Sequence, residues 1–109
     1  MSDKIFLVQG DTRPAIVCTL SDELAQAPMN LTDATPRLKF RSAGSLNVLT
    51  ILTGFVMDGV NGVCVFYPSS EPLMLANFGS FEGEIEITFA DGEVQTVYEP
   101  LKFKIRQEF

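Results

Sequence analysis

Three carboxylates stand two residues apart in Phe81-Glu82-Gly83-Glu84-Ile85-Glu86-Ile87-Thr88-Phe89. They are the densest group of potential acids and bases in the chain. Paired carboxylates catalyse when different environments keep one protonated and the other ionised. This spacing points away from that chemistry. Phe81, Ile85, Ile87 and Phe89 fall on odd positions, the glutamates and Thr88 on even ones. Successive side chains of a strand point to opposite faces, so the three glutamates share one wetted face and one environment.

Other chemistries meet a similar obstacle. Nucleophilic catalysis wants a serine, threonine or cysteine beside a base, usually histidine, and the chain has no histidine. No Ser–Lys pair has supporting spacing. Two cysteines, Cys18 and Cys64, without histidine cannot complete a zinc site. Both lie in apolar strand-like runs and read as small buried hydrophobes; a disulfide would require their strands to face each other. Asp58-Gly59-Val60-Asn61-Gly62 offers two oxygen side chains, too few for calcium, and reads as a turn. No glycine-rich phosphate loop is present. Asn30-Leu31-Thr32 matches a glycosylation sequon, read as chance because no secretory signal is visible. The expectation is a protein without catalytic residues, metal or cofactor.

The elements that carry these residues read as short strands. Lys4 to Val8 is the first and Ala15 to Leu20 the second, with Ile16, Cys18 and Leu20 facing the core. Ser21 to Met29 reads as a loop with a helical turn. Thr35 to Arg41 follows, with Pro36, Leu38 and Phe40 on one face and Arg37, Lys39 and Arg41 on the other. Asn47 to Leu52, Phe55 to Met57 and Val63 to Tyr67 complete the middle, and a helical turn is expected over Leu73 to Ala76. After the alternating strand, Asp91-Gly92 signals a hairpin. The return is expected to bury Val94, Thr96 and Tyr98, then shift parity by a bulge at Pro100 to bury Leu101, Phe103 and Ile105. Proline is confined to edges or bulges, so the last strand is expected at an edge.

Seven or eight short strands with turns at near-regular spacing predict an all-β fold, an immunoglobulin-like antiparallel β-sandwich, with a small barrel as the alternative. Charge supports the strand order. Arg37/Lys39/Arg41, Glu82/Glu84/Glu86 and Lys102/Lys104/Arg106 form single-sign rows. Opposite charges on neighbouring strands stabilise, so the acidic strand is expected between the two basic ones.

At 109 residues and 46% hydrophobic, the chain reads as one folded domain over 1–109. No apolar run approaches the roughly 20 residues of a membrane-spanning helix. A net charge of −6 argues against nucleic acid and anionic membrane as main partners. No signal peptide is visible, so synthesis in a cytoplasm is expected. Function is then expected through interaction. The candidate interface residues are Phe6, flanked by Ile5 and Leu7; Cys64 and Phe66, on one face of a strand apolar on both; and the terminal Phe109. Cys64 and Phe66 also fit the core.

An ordered set of landmarks runs through the chain: Gly10-Asp11-Thr12-x-Pro14, Asn30-Leu31-Thr32-Asp33-Ala34 before Leu38-x-Phe40, Asp58 and Gly62-Val63-x-Val65-x-Tyr67, Gly79-x-Phe81-x-Gly83-Glu84-Ile85-x-Ile87, then Asp91-Gly92. This order resembles the N-terminal domain of bacteriophage baseplate upper proteins and related tail proteins. The resemblance implies an immunoglobulin-like sandwich without catalysis, assembled in multiple copies into a virion as an adaptor between tail or baseplate components. Other virion proteins would be its partners. A capsid decoration, collar or fibre-attachment protein and a soluble recognition module are the alternatives.

Overall fold

Gly79–Thr88 forms the longest strand, and its buried odd positions explain the rest of the fold. Phe81, Ile85 and Ile87 point into one core, while Gly83 leaves a gap in their row that Leu38 and Phe103 fill. A Cβ at Gly83 would stand 2.7 Å from Leu38 Cδ1 and 2.9 Å from the Phe103 ring.

A computed structural model describes residues 4–22, 24–70 and 76–109. Its strands are β1 (Lys4–Val8), β2 (Ile16–Thr19), β3 (Ser21–Asp22), β4 (Ala27–Pro28), β5 (Thr35–Ser42), β6 (Thr50–Thr53), β7 (Phe55–Asp58), β8 (Val63–Phe66), β9 (Gly79–Thr88), β10 (Val94–Thr96) and β11 (Leu101–Arg106). One short 3-10 turn spans Pro68–Ser70. The larger sheet runs β1-β11-β9-β5-β6, with β10 extending the β11 side of β9; the smaller runs β2-β8-β7. The protein is therefore all-β, and both sheets contribute to a single core.

That core joins Leu38, Phe40, Ile87, Phe103 and Ile105 of the larger sheet to Ile16, Cys18, Cys64 and Phe66 of the smaller. Phe40 stacks on Phe81 with centroids 5.0 Å apart and meets Phe103 edge-on at 5.2 Å. Such contacts add to area burial, which contributes about 1.5–3 kcal/mol per large side chain.

One residue links the sheets. β6 belongs to the larger, β7 to the smaller, and only Gly54 stands between them. A Cβ there would lie 2.6 Å from the Phe66 ring and 2.8 Å from the Val65 carbonyl oxygen. The Gly54 N–H donates to Pro36 O at 2.8 Å. The chain can bend across the core here because no side chain is present.

The acidic strand does lie between two basic ones. In β5 and β9, Arg37 faces Glu86, Lys39 faces Glu84 and Arg41 faces Glu82; on the other side Lys102 of β11 faces Glu82.

Several expectations are corrected. The pairing is not wholly antiparallel: β1 runs parallel to β11, in register from Lys4↔Lys102 to Val8↔Arg106. The last strand is consequently interior, because β1 covers it. No change of parity occurs on the return. Val97 donates to Ile85 O at 2.8 Å, and Leu101 pairs with Gly83, so Tyr98, Glu99 and Pro100 together oppose Glu84. Odd positions stay inward on both sides of this bulge, and Val94, Thr96 and Tyr98 are exposed rather than buried. The bulge houses the proline that a continuous ladder would exclude.

Ser21 to Met29 is also more ordered than a loop. β3 and β4 pair, and the Asp22 carboxylate accepts from the N–H groups of Leu24 and Ala25 in the turn. Among the described residues there are eleven strands, against seven or eight expected. The excess is β3, β4 and the division of the return into β10 and β11. The helical turn expected over Leu73 to Ala76 lies outside the described residues except for Ala76.

Candidate docking surfaces

β8 was apolar on both faces, and the structure assigns each. Cys64 and Phe66 are fully buried within this chain's own core, so neither is available as an interface residue. Steric reach explains this: their strand lies at the centre of the smaller sheet, with its even positions aimed at the larger one. The opposite face carries Val63, Val65 and, just beyond the strand, Tyr67. Val65 is flanked in register by Val17 of β2 and Phe55 of β7.

This outer row is apolar from edge to edge. Phe55 is 59% exposed and Val17 56%. The Phe55 and Tyr67 rings lie 5.9 Å apart at a tilt of 56°. Val65, between Val17 and Phe55 in register, is only 2% exposed. The sequence held a signal for this surface in the odd parity that Phe55 shares with Val63, Val65 and Tyr67, but the register shifts after Val56, so that Asp58 and not Met57 faces Val63.

The larger sheet presents a different outer face. Lys39 Nζ lies 2.9 Å from Glu86 Oε2, and Arg41 Nη2 lies 3.2 Å from Glu82 Oε1. Arg37 donates to Thr88 Oγ1 at 3.2 Å. A shallow groove of about 350 Å³ crosses this face, lined by Lys39, Arg41, Glu82 and Glu84 with Val48, Tyr98 and Pro100 at its rim. The three glutamates thus stand in one open row.

Phe6 and Phe109 are both exposed. Phe6 projects from β1 beside Lys104 of β11, and the Phe109 ring lies 4.7 Å from Arg106 Cζ. The structure therefore brings these two candidates to one border of the larger sheet and removes Cys64 and Phe66 to the interior.

The cysteines are free and directly opposite each other on β2 and β8. The contact between the two thiols, with burial adding to it, pushes the Cys64 thiol far up, and the same contact lowers Cys18. Asp58 closes its own turn, accepting from the Asn61 side chain at 2.7 Å and from the Asn61 N–H. Among the described residues no three metal-ligating side chains converge, and no helix is long and apolar enough to cross a membrane.

No protein-family model matches the chain, and no curated protein matches its sequence.

Proposed function

We propose that this chain is a non-enzymatic structural protein of a virion, an adaptor in a tail or baseplate that acts by docking other virion proteins. The observation that carries the docking part is the outer row of the smaller sheet. Val17, Phe55 and Tyr67 present an exposed apolar row around Val65, and such faces on small proteins mark contacts with other chains. The ordered landmarks from Gly10-Asp11-Thr12 to Asp91-Gly92 support the virion part.

The finer fold we propose is an immunoglobulin-like sandwich. Its support is the strand order: β5, β9 and β11 lie side by side in one sheet, and β2 and β8 pair in the other. In such a frame flat sheet faces and loop ends are the surfaces available for assembly.

The test is to purify particles encoded with the wild-type chain or with Val17→Ser/Phe55→Ser and quantify the chain by mass spectrometry. Wild type should be present in a fixed copy number per particle. The variant, if it melts cooperatively like wild type, should be depleted at least tenfold. A chain absent from particles would overturn the virion reading; a folded variant incorporated at wild-type level would overturn the role of this face.

A further inference from the structure

Every basic residue of the chain except Arg13 stands on the outer face of the larger sheet. Three lie on β5, three on β11, and Lys4 lies on β1. That face holds seven positive charges against the three carboxylates of Glu82, Glu84 and Glu86, in a protein of net charge −6. The surface is therefore strongly polarised, although its central rows neutralise each other.

The compensation is uneven. Two ion pairs tie glutamates to β5. On the other side, Lys102 faces Glu82, which Arg41 already holds, and Lys104 faces Ser80. Lys4 lies beside Lys102. At the tip of the strip the Glu108 carboxylate lies against Gly10. Lys4, Lys102 and Lys104 thus form a basic strip that makes no ion pair among the described residues, with the 73% exposed Phe6 among them.

The opposite charge gathers at the other end of β9. Thr35 pairs with Thr88, which brings Asp33 to the β9–β10 turn carrying Asp91 and Glu93. Leu31 N–H donates to Gly59 O at 2.7 Å, which brings the Asp58 turn alongside. These three loops contain four carboxylates and no basic residue. Apolar side chains stand among them: Val60 and Val94 are exposed, and Phe89 lines a shallow depression of about 310 Å³ with Asn30, Thr32, Ala90 and Asp91.

We infer that the basic strip of one copy docks on the acidic loop end of a second copy, a head-to-tail contact anchored by Phe6. The complement in charge and the apolar spots to receive the ring are both on this chain. Local patches decide the outcome, because the two ends of a ten-residue strand lie about 30 Å apart and physiological salt screens beyond about 8 Å. A contact between different surfaces of identical chains is heterologous and builds rings or filaments. The inference rests on the docking reading above but uses another surface, so the two can fail separately.

The experiment is light scattering of the full chain across concentration at low and high salt. Lys102→Glu/Lys104→Glu disables the strip. Asp91→Asn/Glu93→Lys disables the acidic end while keeping a side-chain oxygen to accept the residue 93 N–H. Wild type should associate at low salt and return to monomer at high salt. Each variant, with an unchanged melting curve, should associate at least tenfold more weakly, as should Phe6→Ser. An equimolar mixture of the two double variants should form a dimer that does not grow, since one intact strip meets one intact end. A monomeric wild type at low salt, or a mixture that stays monomeric while wild type associates, would overturn the inference. So would self-association lost only with Phe55→Ser, which leaves the apolar-face reading standing. A strip that binds heparin or an oligonucleotide without self-association would also overturn it, identifying a polyanion instead.

Discussion

Lys39 lies across the ladder from Glu84, yet its ammonium donates to Glu86. Arg37 makes the same diagonal reach, from opposite Glu86 to Thr88, whereas Arg41 bonds Glu82 directly across. Glu84 is passed over, and it makes no ion pair among the described residues. It faces the bulge at Tyr98 to Pro100 instead of a continuous strand, so no cation stands directly opposite it on that side.

The glutamates should therefore differ in urea melts. Glu86→Gln should cost about 0.2–1 kcal/mol, the range for a partly exposed cross-strand pair. A double-mutant cycle with Lys39→Met should recover a coupling of that size. Glu84→Gln should cost nothing measurable. Equal effects at both positions would refute the diagonal pairing.

Phe40 touches the two other rings at the centre of the core and is fully buried. Phe40→Ala should lower stability by about 3–5 kcal/mol and Ile85→Ala by about 2–5 kcal/mol. A change below 1 kcal/mol in both, measured by denaturant midpoint, would contradict their facing.

Gly54→Ala should destabilise by about 1–3 kcal/mol, the usual cost of forcing extra volume into a packed site. The added methyl would press on the Phe66 ring and the Val65 carbonyl. The readout is the thermal midpoint together with the near-ultraviolet dichroism of the aromatic core. An unchanged midpoint would show that the crossing has room to spare.

Alkaline pH should separate wild type from Cys18→Ala/Cys64→Ala, with both proteins kept reduced. The Cys64 thiol is pushed above its unfolded value by its contact with Cys18 and by burial. Its contribution is complete below the ordinary thiol pKa of about 8.5 and shrinks as pH rises past it, because the unfolded chain ionises first. Cys18 shifts the other way, so its offset is already gained at that point. Wild type should then lose about 1 kcal/mol more per pH unit than the variant. Parallel stability curves from pH 8 to 10 would overturn this.

Much of the larger sheet was legible because local and long-range signals agreed there. Alternation in Phe81 to Phe89 placed the core face, and the single-sign rows on three strands predicted that β9 lies between β5 and β11. The bulge was misread for a physical reason: Tyr98, Glu99 and Pro100 loop out together, and three residues against one preserve parity where a single extra residue would reverse it. The parallel partner of β11 left no local trace, since Ile5 and Leu7 read the same beside any neighbour. The apolar outer row of the smaller sheet was half legible. Both faces of Val63 to Tyr67 were visibly apolar, but only the position of the larger sheet decides which one is buried.

The parallel pairing of β1 with β11 also sets how the molecule bears load. Tension applied before Lys4 and beyond Arg106 would draw the two strands past each other along their length. Their hydrogen bonds, spread over five register positions, would be strained together in shear instead of opening one after another like a zipper. Forced unfolding is governed by the barrier to the first rupture. A load carried through these two strands would therefore meet a mechanical clamp, whatever the equilibrium stability of the domain.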